Sequence, residues 1–206
     1  MIIEQDQEFV MNLQRFIEFI GTFAFALSGI RLAASKHYDW LGGFVCGFAV
    51  AIGGGTIRDV MLGVRPFWML SPIYMICTLF AQCVVIVCHN YLKRLDTTWF
   101  LFDTLGLALF NIAGIQKTLD CGFPFWVAII MGCITGAAGG VIRDVLLNEE
   151  PVIFRKEIYA MACVLGGLTY WGMTWLGISV YFTVIASFVI VCFIRFLEIG
   201  HLLLPA

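Results

Sequence analysis

The amino-acid sequence predicts an all-α polytopic membrane protein: seven transmembrane helices, arranged as an inverted 3+3 repeat plus one C-terminal helix. Three observations carry this. Of 206 residues, 61% are hydrophobic and 13% charged, which excludes a soluble domain with one core and a polar coat. Apolar stretches near the ~20 residues needed to cross a ~30 Å hydrocarbon core recur seven times along the chain. Finally, the string Gly54-Gly55-Thr56-Ile57-Arg58-Asp59-Val60-Met61-Leu62, closed by Pro66, returns 85 residues later as Gly139-Gly140-Val141-Ile142-Arg143-Asp144-Val145-Leu146-Leu147, closed by Pro151.

Residues 1–13 form an acidic segment with Glu4, Asp6 and Glu8 and no Lys or Arg before Arg15, the wrong sign for a signal peptide. No cleaved signal is expected. Spans at 14–31, 39–57 and 68–90 make repeat 1 (14–91), and spans at 98–117, 123–141 and 157–176 make repeat 2 (98–176). The seventh helix, 178–197, follows the uncharged turn Gly172 to Gly177 and precedes a tail at 198–206. The offset of 85 also maps Gly21 onto Gly106, Phe25 onto Phe110, Gly29 onto Gly114, Ile30 onto Ile115 and Gly47 onto Gly132, without a gap over about 55 residues. Three spans per copy is an odd number, so the second copy enters the membrane from the opposite face. The expected pseudo-twofold axis lies in the membrane plane, between the second and fifth helices.

Loop charges set the orientation. One side receives Arg15, Arg65 and Lys117, the other Arg31, Lys36, Lys93, Arg94, Arg155, Lys156 and Arg195. The second side should be cytoplasmic, with the N-terminus outside and the C-terminus inside a cell (inner) membrane.

The second and fifth helices carry both the repeated string and the glycines. Gly47, Ala51, Gly54 and Gly55, and again Gly132, Gly136, Gly139 and Gly140, follow an i, i+4, i+7, i+8 spacing, so each set is one small-residue face suited to close helix approach. Runs of small residues at 53–55 and 137–140 also weaken a helix and can free backbone carbonyls, since glycine costs about 1 kcal/mol relative to alanine there. Carbonyls freed at depth are tolerated only against protein or a water-filled cavity. Gly53, Gly54, Gly55, Gly139 and Gly140 are thus candidates for a pore-shaping kink.

Ionisable groups at membrane depth are functional candidates by default. A straight helix from Trp40 reaches Arg58 after about 27 Å, near the far interface, where a long side chain can also snorkel. A kink at the glycines would draw the charges inward. Arg58 and Asp59 are adjacent and point about 100° apart, so each is expected to find another partner. Glu18 lies one turn inside the first helix and maps onto Asp103, which suggests the pairs Glu18 with Arg58 and Asp103 with Arg143. Asp59 and Asp144 then remain as pore-mouth charges free to face a cation. Ser28, Thr22, Thr56, Thr104, Asn111 and Thr135 are the other polar groups at depth; hydroxyls there usually bond their own backbone, whereas Asn111 has no such internal solution.

The eight cysteines form no CxxC pair and read as small core residues, and His37, His89 and His201 are scattered, so no metal site is expected. No nucleophile with a base and no phosphate loop is present, so an enzyme is not expected.

The duplicated unit, with Gly-Gly-Gly-x-x-Arg-Asp followed by Gly-Gly-x-x-Arg-Asp, and the seventh helix resemble the prokaryotic branch of the trimeric intracellular cation (TRIC) channels, also described as a duplicated glycine-transporter-like membrane domain. The resemblance covers about residues 14–197. It implies a homotrimer in which each subunit holds its own water-filled pore, kinked at Gly53 to Gly55 and Gly139 to Gly140 and permeable to K⁺ and Na⁺. Self and membrane lipid are the partners it implies, with no cofactor and no nucleic acid. The basic lipid-binding segment of animal members has no match here, and the second motif reads Ala138-Gly139-Gly140, so the two half-sites need not be equivalent.

The leading function is therefore a passive monovalent-cation channel in which kink carbonyls and hydroxyls replace part of the ion's hydration. No TVGYG-like filter is present, so strong discrimination between K⁺ and Na⁺ is not expected. Inverted repeats with broken helices also suit a secondary transporter of a small solute such as glycine, held by helix-break N–H groups and an arginine. A scaffolding membrane protein is a third class.

Overall fold

A computed structural model describes the backbone of residues 2–88, 98–155 and 157–203, with side chains over 12–88, 98–154 and 158–197. His89, Lys93, Arg94 and Lys156, and the side chains of Glu4, Asp6, Glu8, Arg155 and His201, lie outside the described residues.

The elements run α1 (Ile2–Ser35), α2 (Trp40–Met61), a 3-10 turn (Phe67–Leu70), α3 (Ile73–Val87), α4 (Thr98–Asp120), α5 (Phe125–Leu146), the single turn α6 (Val152–Arg155), α7 (Glu157–Trp175) and α8 (Val180–Leu203). This is an all-helical membrane protein. Five of the described stretches are long and apolar enough to cross a bilayer: 12–35, 40–61, 98–120, 125–146 and 180–197. α3 is a shorter apolar helix, because Pro72 stands at its start and divides the expected span 68–90 into a turn and a helix.

Local chemistry explains the boundaries. Asp39 caps α2 by accepting from the Gly42 N–H at 2.7 Å. Pro124 precedes α5, where a missing N–H removes no helical bond. The turns after α2 and α5 use Gly63 at φ +71° and Asn148 at φ +54°; the turns before them use His37 at φ +61° and Gly122 at φ +82°. Both pairs sit 85 residues apart, so the duplication extends to turns that need left-handed backbone.

Packing is reciprocal between the repeats. Phe25 and Phe110 stack at 5.4 Å; a side-chain carbon at Gly21 would press on Phe110, and one at Gly106 on Phe25. α1 meets α2 where Gly29 faces Gly47, and α4 meets α5 where Gly114 faces Gly132.

α2 and α5 cross backbone to backbone. A carbon added at Gly54 would fall on the Thr135 carbonyl oxygen, and one at Gly139 would lie 2.9 Å from the Val50 carbonyl oxygen. Val50 and Thr135 are themselves related by the offset of 85, and the pairing runs in opposite directions along the two helices. Each glycine thus turns a Cα–H toward a carbonyl of the other helix.

Both helices continue unbroken through their glycines. The expectation of freed carbonyls is corrected on this point: Gly53, Gly54, Gly55, Gly139 and Gly140 keep the helical ladder, because each has a close neighbour in the space a side chain would need. Gly53 faces Ile142, Gly55 the Phe67 ring and Gly140 the Tyr159 hydroxyl.

Candidate functional site

One turn past each glycine, about 6 Å along the helix axis, stands a fully buried arginine, Arg58 on α2 and Arg143 on α5. The antiparallel crossing puts them on opposite sides of the glycine contact. Neither snorkels to a surface.

In the first half-site, Arg58 donates from Nη2 to Glu18 Oε1 at 3.0 Å and from Nε to Asp59 Oδ1 at 2.8 Å. The other oxygens are also used: Asp59 Oδ2 accepts the Phe67 N–H at 2.7 Å, and Glu18 Oε2 accepts the Tyr74 hydroxyl at 3.3 Å. The Phe67 ring lies 5.7 Å from the guanidinium. In the second half-site, Arg143 donates to Asp103 Oδ1 at 2.5 Å and to Asp144 Oδ1 at 2.9 Å, and Asp144 Oδ2 accepts the Val152 N–H at 3.0 Å. Trp99 supplies the aromatic face at 5.1 Å. Phe67 and Val152, like Tyr74 and Tyr159, are offset partners, so the same parts recur.

The two aspartates do not stand where the sequence places them. Asp59 and Asp144 are buried and bonded to the arginines beside them, which corrects both their expected freedom to face a cation and the expectation that adjacent Arg and Asp cannot pair. The long arginine side chain brings Nε back along the helix to its neighbour. The second carboxylate oxygen ties down the N–H of the returning chain, so each aspartate closes a turn.

The remaining polar residues at depth are mostly engaged. Ser28 donates to the Trp99 carbonyl at 3.1 Å and accepts from Arg143 at 2.8 Å. Thr56 bonds the Ile52 carbonyl at 2.7 Å while accepting the Trp68 indole N–H at 3.0 Å. Thr22 and Thr135 bond the Glu18 and Met131 carbonyls of their own helices. Asn111 donates to the Cys163 carbonyl at 2.9 Å, joining α4 to α7, and its Oδ1 has no partner among the described residues. The Thr104 hydroxyl is buried likewise.

Arg195 is not the loop charge that the sequence suggests. It is fully buried, donates to Asp103 Oδ2 at 3.4 Å, and lies against the rings of Phe100 (4.3 Å) and Tyr159 (4.6 Å). It therefore leaves the cytoplasmic tally. A lone arginine inside an otherwise apolar helix was the available signal; for Tyr74 and Tyr159 it was the repeat offset.

Beside the first half-site opens a cavity of about 670 Å³, lined by Gln14, Glu18, Phe67 and Tyr74 and by the cations Arg15, Arg65 and Lys117. Groups of His, Cys, Asp and Glu able to hold a metal are absent among the described residues.

The family model described as glycine transporter matches twice, over residues 15–90 and 100–175. The inner membrane protein YadS of Escherichia coli is 40% identical over 157 residues, covering 75% of each chain. Among solved structures, the TRIC trimeric intracellular cation channel orthologue of Rhodobacter sphaeroides is similar at a TM-score of 0.85 and 29% identity, over 93% of this chain and 99% of that one. A prokaryotic TRIC channel solved in 0.5 M KCl is similar at a TM-score of 0.87 and 26% identity, over 95% of this chain and 100% of that one.

Proposed function

This chain belongs to the TRIC channel family, whose duplicated unit the glycine transporter model describes, and from that membership we propose that it is a passive monovalent-cation channel of the cell membrane, conducting K⁺ and Na⁺. The functional unit is a homotrimer with one pore inside each subunit. Seven spans run as an inverted 3+3 repeat plus α8, with the N-terminus outside and the C-terminus cytoplasmic. Bending of α2 and α5 at Gly53 to Gly55 and Gly139 to Gly140 shapes the path, and the two Arg-Asp half-sites flank its narrowest point.

The observation that carries this reading is the reciprocal crossing, Gly54 on Thr135 and Gly139 on Val50, with a buried arginine one turn beyond each glycine. Reciprocal contacts of this kind are the signature of a twofold relation. Set in a membrane, they support one path with two matching halves, and the arginines act as buried partners of carboxylates rather than as ion ligands. Purified protein in a planar bilayer with K⁺ as the sole permeant cation should give discrete single-channel currents. Electrical silence together with saturable uptake of a small zwitterion such as glycine would make it a carrier instead.

A further inference from the structure

We propose that Arg15, Arg65 and Lys117 form a binding site for a phosphate group, that of an anionic phospholipid headgroup at one face of the membrane. The site stands whether the chain conducts cations or carries a solute.

Three elements bring the cations together. Arg15 stands near the start of the first span on α1, Arg65 in the turn after α2 and Lys117 in the last turn of α4, and all three line the 670 Å³ cavity. Helix ends that meet at one level mark headgroup depth, where basic pockets between helices take lipid phosphates. Their charge is not already spent. Glu18, the carboxylate lining the cavity, is bonded to Arg58 and Tyr74, and Asp59 is bonded to Arg58 and the Phe67 N–H. Lys117 acts at longer range on Glu18 and Asp120, and Arg15 on Tyr74, but none of the three cations closes an ion pair among the described residues. Three cations thus face one carboxylate that a fourth, Arg58, already holds.

The cluster belongs to this end alone. The offset of 85 puts Phe100 at the counterpart of Arg15, Glu150 at that of Arg65 and Leu32 at that of Lys117, so duplication does not account for it. Nor does it match the basic lipid-binding segment of animal members, which has no equivalent in this chain.

The donors define the ligand. Two guanidiniums offer planar forks that fit phosphate oxygens, and the ammonium adds a point charge. Phe16, Leu70 and Ile73 line the same cavity and are exposed, so apolar surface runs from the cations onto the flank of the molecule. That continuity favours a lipid over a free phosphate, because acyl chains cover the apolar wall while the cations hold the headgroup. On the channel reading, a bound phosphate also offsets positive charge that opposes an entering cation.

The test uses the purified full-length protein in a neutral detergent, melted with rising dioleoylphosphatidylglycerol, with dioleoylphosphatidylcholine, and with sodium phosphate at matched ionic strength. Wild type should gain a saturable rise in Tm from phosphatidylglycerol over phosphatidylcholine. Each cation removed should weaken half-saturation about fivefold, so Arg15→Gln combined with Lys117→Gln should need roughly 20-fold more lipid. Lys36→Gln, about 30 Å away along α1, should leave the rise unchanged. If the double variant melts low in phosphatidylcholine too, Arg65→Gln in the exposed turn carries the comparison. An equal rise from inorganic phosphate keeps the site and makes its ligand a free phosphate. Coincident wild-type curves under all three conditions, or a rise that the Arg15, Arg65 and Lys117 variants retain, would overturn the site. Bilayer recordings are read separately: a protein that binds the lipid but passes no current keeps the site and loses the channel.

Discussion

The half-site around Arg58 and the one around Arg143 are built from the same parts at the same spacing, yet they end in different states. Each joins an arginine to the aspartate beside it, to a carboxylate 40 residues earlier, and to an N–H eight residues past the aspartate. The second is then closed by Arg195 from α8, by the Ser28 hydroxyl and by Trp99, whereas the first faces a cavity through Glu18 and Tyr74. The offset of 85 puts Ala113 where Ser28 stands and Gln14 where Trp99 stands. Duplication thus supplied a common frame, and a few substitutions plus one added helix sealed one end while leaving the other open.

Deleting each arginine should separate the two half-sites most widely. Arg58→Met leaves Glu18 and Asp59 without the guanidinium they share, while Arg143→Met leaves Arg195 on Asp103; the first should cost about 3–5 kcal/mol and the second clearly less, read from thermal melts and from the yield of assembled protein. Equal losses would mean that Arg195 does not compensate. The glycine crossing comes next. Gly54→Ala sets a methyl directly on a carbonyl oxygen, whereas Gly139→Ala meets Val50 O at 2.9 Å and the more yielding Phe25 ring at 3.1 Å, so Gly54→Ala should destabilise by about 1–3 kcal/mol or more and exceed its counterpart.

Removing the two tyrosine hydroxyls gives a smaller contrast. Tyr74→Phe deletes a bond to Glu18 and should cost about 1 kcal/mol, while Tyr159→Phe removes a buried hydroxyl with no partner among the described residues and should be close to neutral. Last, Lys36 pairs with Glu149 across the repeats in a half-exposed position. Lys36→Gln should change stability by less than about 1 kcal/mol, and less again at high salt.

Much of this was legible from the chain alone, because a repeat of fixed offset turns one contact into two. The pairings of Glu18 with Arg58 and Asp103 with Arg143 follow from Glu18 mapping onto Asp103 and from where each helix begins and ends. The fate of Asp59 and Asp144 was not legible. Whether a carboxylate faces water or an N–H eight residues on depends on how the chain returns after Pro66 and Pro151, and helical geometry alone does not decide that. Arg195 was missed for the same reason: its partner lies 92 residues away on α4, and a positive charge near a helix end reads as a loop charge until its neighbours are known. Pro72 could have been read directly as a break in the expected third span.

On the proposed reading the two halves flank one cation-conducting path, closed by Arg195 at one end and open at the other through the cavity that Gln14 and Glu18 line. The most direct measurement is the reversal potential of single-channel currents across a KCl gradient, for wild type and for Gln14→Lys. Wild type should reverse near the K⁺ equilibrium potential, and Gln14→Lys should shift toward the Cl⁻ potential with smaller currents. Reversal at the Cl⁻ potential in wild type, or identical behaviour of the two proteins, would contradict the account.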